Sequence, residues 1–369
     1  MKKILVVFGT RPEAIKMCPL IIKIREQPNM ECCVCLTGQH REMLLQVMDS
    51  FGIIEDYNLN VMKESQTLTF LTGRIISEFD KVLINEHPDL VLVHGDTTSS
   101  FAASLVAFYH GISIGHVEAG LRTYNIKLPF PEEFNRQAID LIGDMYFAPT
   151  NSAKLNLIKE GKSSENIFVT GNTVIDALQY TVKKDFMDEN LEWAKGYRLI
   201  MLTAHRRESI DEKLEGIFET VKKLLREFDD IKVIFPIHKN PKIRKLASIV
   251  FENVDSIRII EPLDVIKFHN YMAKSYLILT DSGGIQEEAP SLGVPVLVLR
   301  DVTERPEGIE AGVVKLAGTS EEMVYKATKE LLTNQAEYEK MRIAVNPYGD
   351  GKASEYIVDA LKARLSKNR

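Results

Sequence analysis

The fold is decided by the stretch LILTDSGGIQEEAPSLGVPVLVLR, residues 277–300. A continuous apolar run leads into Ser282, Gly283 and Gly284, where small residues allow a tight turn and the start of a helix. The next apolar run ends at Arg300. A buried strand, a helix and a second buried strand in this order are typical of a βαβ unit in a parallel sheet.

The same alternation recurs along the whole chain. Further apolar runs bounded by turn residues are ILVVF, CCVCL, LVLVHG and ISIGHV in the first half, and RLIMLTA, IKVIFPI and SIRIIEP in the second. Segments with helical periodicity, such as 212–228, separate these runs. Because 369 residues exceed the size at which one core usually keeps growing, we predict an α/β protein with two doubly wound, Rossmann-like domains.

The boundary between the two domains is predicted near Asn172, so that the first domain covers 1–172. The stretch from Asp176 to Gly196 is charged and less apolar, and it precedes a new strand. Ligands of doubly wound folds bind at the carboxyl ends of the strands. We therefore expect the functional site at strand ends, in a cleft between the domains.

Composition and charge exclude several classes of protein. With 46 Lys and Arg against 52 Asp and Glu, the net charge of −6 argues against nucleic acid or an anionic membrane as the main partner. The apolar run after Met1 is shorter than the core of a secretory leader, and no run reaches the ~18 apolar residues of a membrane span. We expect a cytoplasmic protein that does not associate with membranes.

The four cysteines, Cys18, Cys32, Cys33 and Cys35, do not suggest a disulfide framework. Three of them crowd into one strand-like segment, and no second pair or suitably spaced histidines follow to complete a zinc site. Buried free thiols are the expectation.

In the first half, charged residues follow several predicted strands. Gly9 and Pro12 fit a strand-to-helix turn, where Arg11 and Lys16 could face a phosphate, although an ordinary loop explains them equally well. Asp96 follows LVLVHG, a position that a helix N-cap would also explain.

Two more carboxylates are expected beside Asp96. Glu118 follows ISIGHV, and Glu132 begins the helix after PFP. If the three carboxylates converge, repulsion between like charges raises at least one pKa, which suits proton transfer.

In the second half, His205 follows a strand and is succeeded by Arg206 and a further arginine, which makes a cationic site suited to a diphosphate or to acid catalysis. His238 also follows a strand but lacks such neighbours. Ser282, Gly283 and Gly284 allow backbone N–H groups to approach an anion. Glu288 lies about one helical turn beyond Gly284, where it could accept hydrogen bonds from ribose hydroxyls.

Taken together, the motifs resemble those of the non-hydrolysing UDP-N-acetylglucosamine 2-epimerases. The motifs are GTRPEAIK, QHREML, HGDTTS, GHVEAGLR, PFPEEFNR, AHRRES, TDSGGIQEEAPSLG, TERPE and NPYGDG, and they span almost the whole chain. The resemblance implies a GT-B-like pair of domains, 1–172 and 173–354, with a helix at about 355–369 returning to the first domain. It also implies a homodimer.

The resemblance implies roles for particular residues. Its catalytic group corresponds to Asp96, Glu118, Glu132 and His205. The residues that would hold UDP or the sugar are Arg11, Lys16, Phe268, Ser282, Gly283, Gly284, Glu288 and Arg305. The implied reaction eliminates UDP to give 2-acetamidoglucal and then returns UDP with a proton on the opposite face of C2, without a metal or any cofactor.

Many bacterial members of that family carry a regulatory site for a second UDP-N-acetylglucosamine. The residues available to match it are Gln39, His40, Gln66, Glu132, Arg206 and His238. The residue before Gln66 is Ser65, where many such members have arginine, and this departure weighs against allosteric activation.

Other functions remain open on the same fold. A hydrolysing 2-epimerase or a retaining glycosyltransferase would keep the nucleotide site, and an epimerase of a modified UDP-amino sugar would differ only in its sugar pocket. A nucleotide-sugar sensor without catalysis is the alternative outside the enzymes, and the three carboxylates at strand and helix ends disfavour it.

Overall fold

The computed structural model of the protein describes residues 1–38, 41–62, 66–204 and 212–367. The chain divides into two compact units, of which the first contains Met1–Tyr180 and Tyr348–Arg369 and the second Thr181–Pro347. Each unit contains one parallel sheet with helices on its faces. The predicted α/β class with two doubly wound domains is confirmed.

The first unit has a seven-stranded sheet in the described part of the chain. Its strands are β1 (Lys2–Phe8), β2 (Met30–Leu36), β3 (Tyr57–Asn58), β4 (Leu90–His94), β5 (Ser113–Val117), β6 (Met145–Ala148) and β7 (Ile167–Val169). Its helices are α1 (Arg11–Arg25), α2 (Arg41–Ser50), α3 (Leu68–Glu86), α4 (Thr98–Tyr109), α5 (Glu132–Ile142), α6 (Asn151–Lys159) and α7 (Thr173–Thr181). The spatial strand order is β3-β2-β1-β4-β5-β6-β7.

The second unit has six strands among the residues described. They are β8 (Arg198–Thr203), β9 (Ile231–Pro236), β10 (Ile257–Ile260), β11 (Leu277–Thr280), β12 (Val296–Val298) and β13 (Val314–Leu316), in the order β10-β9-β8-β11-β12-β13. The helices are α8 (Glu189–Ala194), α9 (Glu212–Glu227), α10 (Pro241–Val250), α11 (Val265–Lys274), α12 (Gly283–Glu288), α13 (Pro306–Glu310), α14 (Glu321–Thr333) and α15 (Gln335–Arg342). Both units thus follow the Rossmann order, in which the sequence of strands reverses beside the first strand.

The strands are buried on both faces because helices cover both sides of each sheet. All five residues of β4 are buried, and Leu5, Val7 and Val91 pack against Phe79 of α3 on one face of the first sheet. This environment requires continuous apolar runs rather than alternating ones, which is why the strands are visible in the sequence.

The last helix, α16 (Ala353–Lys367), belongs to the first unit and packs on α1. Asp176 of α7 accepts hydrogen bonds from the backbone N–H groups of Ala353 (3.1 Å) and Ser354 (2.7 Å) and so caps this helix. The cap ties α7 to the first unit, whereas the sequence-based boundary at residue 172 assigned all of α7 to the second. The structural division therefore falls after Tyr180, and the return to the first unit begins at Tyr348.

All four cysteines are free thiols, and Cys18, Cys33 and Cys35 are buried while Cys32 is half-buried. Burial raises the pKa of Cys32 and Cys33 to about 12. A thiol with such a pKa carries almost no thiolate at neutral pH and is chemically inert. The expectation of buried free thiols is confirmed for three of the four.

Candidate functional site

The loops that follow β1 and β4 lie at the point where the strand order of the first sheet reverses. β1 and β4 are neighbours, and the chain leaves them in opposite directions, towards β2 and β5. Such a switch point opens a crevice at the carboxyl ends of the strands. Gly9 and Thr10 form one wall of this crevice, and Gly95 and Asp96 form the other.

The side chain of Glu13 forms hydrogen bonds with residues on both sides of this crevice. Glu13 is 2% exposed, and Oε2 of its carboxyl group accepts hydrogen bonds from the backbone N–H groups of Gly9 (3.0 Å) and Thr10 (2.8 Å). Oε1 accepts from the hydroxyls of Thr97 (2.7 Å) and Ser100 (2.9 Å) at the start of α4. Burial raises the pKa of Glu13. The carboxyl group therefore fixes the spacing between the two walls of the crevice.

Gly9 is required where the first loop approaches its neighbours. A Cβ atom added there would lie 2.0 Å from Oγ1 of Thr37 and 2.5 Å from Oγ of Ser99, both of which are buried. Any side chain at this position would force the end of β1 away from β2 and α4.

Asp96 lies two residues after the end of β4 and accepts hydrogen bonds from side chains of α5. Nη2 of Arg136 donates to Oδ2 of Asp96 over 2.5 Å, and the amide of Asn135 donates to its backbone oxygen over 2.8 Å. Burial is the largest cause of a raised Asp96 pKa; Glu118 and Glu132 raise it further, while Arg136 opposes the shift. Glu118 and Glu132 therefore both lie within electrostatic reach of Asp96.

Glu118 follows β5 with a left-handed backbone, φ +66°, which is costly for a residue with a Cβ. Its Oε2 is paired with Nζ of Lys16 and accepts a hydrogen bond from Nδ2 of Asn172 (2.8 Å). A Cβ added to Gly95 would lie 3.6 Å from Oε1 of Glu118, so this carboxylate lies over the loop that carries Asp96. Lys16, predicted to contact phosphate, therefore has Glu118 as an immediate partner.

Glu132 is the first residue of α5 and is half-buried. The next residue, Glu133, is fully buried and accepts hydrogen bonds from the backbone N–H groups of Thr123 and Tyr124, each at 3.0 Å. These bonds hold the long loop between β5 and α5 against the helix that presents Glu132. Acidic residues in the first turn of a helix are also favoured by the helix dipole.

His94, the last residue of β4, was not singled out in the sequence. It is buried, its Nε2 lies 3.7 Å from Oε2 of Glu118, and Nε2 makes no hydrogen bond within the described part of the chain. Burial lowers the pKa of His94 to about 3. His94 therefore faces Glu118 as a neutral imidazole.

In the second unit, the predicted glycine turn follows β11 as expected. The hydroxyls of Thr203 and Thr280 are 2.6 Å apart at the ends of adjacent strands, and Oγ1 of Thr280 accepts a hydrogen bond from the backbone N–H of Ser282 (3.0 Å). Ser282 is the N-cap residue of α12, which begins at Gly283.

Other predicted nucleotide-binding residues lie around this turn. Oε2 of Glu288 is 3.4 Å from Nε2 of His269, whose Nδ1 lies 2.7 Å from the hydroxyl of Thr181. Phe268 is half-buried beside His269. Arg305 pairs with the buried Glu287, and a Cβ added to Gly283 would lie 3.6 Å from the Arg305 guanidinium carbon. The glycine turn and this arginine are therefore neighbours.

Four of the predicted residues, Gln39, His40, His205 and Arg206, lie outside the described residues. Of the remaining candidates for a regulatory site, Gln66 donates to Sδ of Met62 over 2.8 Å. His238 is exposed, and its Nδ1 accepts a hydrogen bond from the backbone N–H of Asn240 (3.2 Å).

The described residues include neither a metal-binding cluster nor a membrane-spanning helix. They contain no group of three or more His, Cys, Asp or Glu side chains that could hold a metal ion. None of their helices is long and apolar enough to cross a membrane.

Glu13, Asn172 and Arg136 were also missed as contributors to the site. For Glu13 a signal was present, because Thr10 and Glu13 have the spacing of a capping box, in which the N-cap residue and the third helical residue bond each other's backbone. Asn172 contacts Glu118 from 54 positions away, and no local pattern indicates that contact.

Known proteins match both the sequence and the fold. A sequence model of the family described as UDP-N-acetylglucosamine 2-epimerase matches residues 22–362. The UDP-N-acetylglucosamine 2-epimerase of Bacillus subtilis is 55% identical over 359 residues, which cover 97% of this chain and 94% of that protein.

Solved structures agree with these matches. A crystal structure of a UDP-N-acetylglucosamine 2-epimerase superposes with a TM-score of 0.94 at 52% identity, over 100% of this chain and 97% of the other. The enzyme of Neisseria meningitidis bound to UDP-GlcNAc gives a TM-score of 0.87 at 46% identity, over 98% of this chain and 100% of the other. This chain therefore belongs to the UDP-N-acetylglucosamine 2-epimerase family of isomerases.

Proposed function

We propose that the protein interconverts UDP-N-acetylglucosamine and UDP-N-acetylmannosamine by inverting C2 of the sugar. The observation that carries this proposal is the group of three carboxylates, Asp96, Glu118 and Glu132, beside a lysine at the switch point of the first sheet. Inversion at C2 needs one group that removes a proton and another that delivers a proton to the opposite face. Membership of the epimerase family supports the same substrate.

The proposed reaction begins with removal of the C2 proton by a carboxylate. The C1–O bond then breaks, UDP departs with the bonding electrons, and 2-acetamidoglucal remains. In the second half UDP adds again to C1, and C2 receives a proton on the opposite face. Asp96, Glu118 and Glu132 are the proposed acid and base groups, and the raised pKa of Asp96 lets it hold a proton to a higher pH than an ordinary aspartate.

Departure of UDP requires stabilisation of negative charge, which cations and backbone N–H groups provide. In the second unit we assign this role to Ser282, Gly283, Gly284 and Arg305, with His205 as the proposed catalytic histidine. Glu288 would accept hydrogen bonds from the ribose, and Phe268 would contact the nucleotide. In the first unit we assign Arg11 to a phosphate and Lys16 to the sugar side, where it also orients Glu118.

The proposal is tested by incubating the protein with UDP-N-acetylglucosamine in deuterated water and following the sugar protons by NMR. We expect deuterium at C2 and the appearance of UDP-N-acetylmannosamine, because the C2 proton exchanges with solvent during each turnover. Release of free N-acetylmannosamine would indicate a hydrolysing enzyme instead. No change in this substrate, together with turnover of a modified UDP-amino sugar, would assign the protein to that substrate.

We also propose a homodimer formed through the first unit. Helices α3, α4 and α5 pack side by side, and each bears exposed apolar side chains, among them Phe70, Phe108 and Leu141. Exposed apolar groups on neighbouring elements are typical of an interaction surface. The cytoplasmic location stays a prediction.

Light scattering after size-exclusion chromatography checks the proposed dimer. The unsubstituted protein should have twice the mass of one chain, and Phe108→Glu should shift the equilibrium towards the monomer, because a charge would be buried in the interface. Ile249→Glu is the matched control, since Ile249 is similarly exposed but lies on α10 of the second unit. A monomeric unsubstituted protein, or a dimer unaffected by Phe108→Glu, would contradict the proposed surface.

A further inference from the structure

His116 is a fully buried residue of β5 that the proposed mechanism does not use. Its Nδ1 lies 2.6 Å from Oδ1 of Asp140, and its Nε2 lies 2.7 Å from the backbone oxygen of Gly95. Both side chains of the pair are almost completely excluded from solvent, at 0% for His116 and 1% for Asp140.

Both ring nitrogens of His116 face oxygen atoms that can accept a hydrogen bond. The oxygen of Gly95 is a carbonyl and can only accept. Burial favours the neutral form of Asp140, but His116 and Arg122 outweigh it and lower the Asp140 pKa below its usual range. An ionised carboxylate also only accepts, so this geometry fits a ring that carries a proton on each nitrogen.

The second oxygen of Asp140 holds the loop after β5. Oδ2 accepts hydrogen bonds from the backbone N–H of Gly120 (3.1 Å) and from Nη2 of Arg122 (2.7 Å). Arg122 is held in turn by Glu160 (2.6 Å). Asp140 thus connects His116 of β5 with Gly120 and Arg122 in the loop that follows this strand.

These contacts connect the three segments that carry the carboxylates. Gly95 immediately precedes Asp96 on the loop after β4. Glu118 lies between His116 and Gly120, both of which contact Asp140. Asp140 itself lies on α5, the helix that begins with Glu132. One buried ion pair therefore touches the loop of Asp96, the loop of Glu118 and the helix of Glu132.

We propose that His116 and Asp140 are positioning residues, which set the spacing of Asp96, Glu118 and Glu132 for proton transfer at C2. This inference rests on the proposed function. The left-handed backbone of Glu118 makes such support necessary, because a residue in that conformation persists only when its surroundings hold it there. A displacement of reacting groups by about 1 Å can slow an enzyme about 100-fold.

The kinetic test replaces His116 by glutamine, which cannot carry the charge or reach both partners in the same geometry. We expect kcat to fall about 100-fold with KM changed little, because the groups displaced act on the reacting carbon. The matched control is His110→Gln. His110 also lies 2.6 Å from an aspartate, Asp80, but this pair is part-exposed and lies near the far end of α4. The His110→Gln substitution should leave kcat unchanged.

A second measurement uses the unsubstituted protein and needs no turnover. In ¹⁵N-histidine NMR spectra at neutral pH, the signals of His116 should show a proton on both ring nitrogens, and they are assigned by their loss in His116→Gln. If that variant does not fold, Asp140→Asn gives the assignment, because the asparagine amide would donate to Nδ1 and leave a neutral ring. A neutral His116 in the unsubstituted protein would overturn the ion pair.

The outcomes separate this inference from the proposed function. Failure of the unsubstituted protein to epimerise or exchange C2 would refute the proposed function. An active unsubstituted protein whose His116→Gln variant keeps its kcat would refute only the positioning role. A loss of activity that merely follows the fraction of unfolded protein, measured by circular dichroism at the assay temperature, would also refute it.

Discussion

Glu118→Gln is expected to slow both C2 deuterium exchange and epimerisation by about 10² to 10⁴-fold, the usual contribution of a general acid or base. An amide cannot take up or deliver the C2 proton. Glu118 is the carboxylate most constrained for this role, since Lys16, Asn172 and the neutral His94 all face its Oε2. Rates of exchange and product formation are measured in the same deuterated reaction.

The variant should remain folded, because glutamine has nearly the same shape and its side-chain oxygen can still accept from Lys16 or Asn172. Its melting temperature should therefore stay within a few degrees of that of the unsubstituted protein. A variant that binds substrate with an ordinary KM but does not exchange C2 would identify a loss in the chemical step.

Glu86→Gln is the matched control. Glu86 pairs with Nζ of Lys3 over 2.9 Å, and its side chain is 17% exposed, against 12% for Glu118. This second lysine–glutamate pair lies at the amino end of β1, whereas Glu118 follows the carboxyl end of β5 in the same sheet. Its loss should change kcat less than twofold. Retention of more than a tenth of the exchange rate by Glu118→Gln would remove Glu118 from proton transfer.

The long strands of the fold were predictable because burial on both faces leaves a continuous apolar run. The runs beginning at Ile4, Leu90 and Leu277 all correspond to observed strands. The strands that were missed, β3, β6, β7 and β13, contain two to four residues. Such short runs cannot be told from loop or helix segments by periodicity.

The limit of the first unit depends on contacts between residues distant in the sequence. Asp176 reaches Ala353 and Ser354 across 177 and 178 positions, and this cap joins α7 to the final helix. Local composition marked the charged stretch after α7 as a linker. It could not reveal which unit α7 itself would join.

The strand-end positions of the candidate carboxylates were predictable, but the groups that contact them were not. Strand ends locate Asp96 and Glu118, because parallel strands bring their carboxyl ends to one edge of the sheet. Lys16 meets Glu118 across 102 positions, and Arg136 meets Asp96 across 40. These partners depend on the packing of helices, which no short motif encodes.

Burial contributes more to the raised pKa of Asp96 than repulsion from the other carboxylates does. Repulsion among the carboxylates was expected to raise one pKa, and the Asp96 pKa is indeed raised. Burial is nevertheless the largest cause, and Glu118 and Glu132 contribute less. Burial of a single side chain is set by the surrounding fold and is not visible in the spacing of charges.

Glu13→Ala is expected to destabilise the first unit by about 3 to 5 kcal/mol. The substitution leaves the N–H groups of Gly9 and Thr10 and the hydroxyl of Thr97 without their Glu13 acceptor, whereas the hydroxyl of Ser100 can still donate to the backbone oxygen of His94 (2.6 Å). Buried polar groups without partners cost about 1 to 3 kcal/mol each, and the vacated space adds a cavity cost. Partial relaxation and entry of water limit the sum.

The two units allow the effect to be localised. The only tryptophan, Trp193, lies in the second unit, so its fluorescence follows the unfolding of that unit. Amide hydrogen exchange measured on peptides from residues 1–38 follows the first unit. We expect faster exchange in those peptides and a fall of roughly 10 °C in the melting temperature of the first unit, with a smaller change in the Trp193 transition.

Glu26→Ala is the control on the same helix. Glu26 is exposed at the C-terminal end of α1 and forms an ion pair with Lys23 (3.2 Å), which is worth about 1 kcal/mol or less. Glu13→Gln fills the space that alanine leaves, so it should cost less than Glu13→Ala. Because Glu13 ties the loop of Arg11 to the loop of Asp96, the folded fraction of Glu13→Ala should also turn over more slowly. Equal stability of Glu13→Ala and Glu26→Ala would show that the two loops hold their spacing without Glu13.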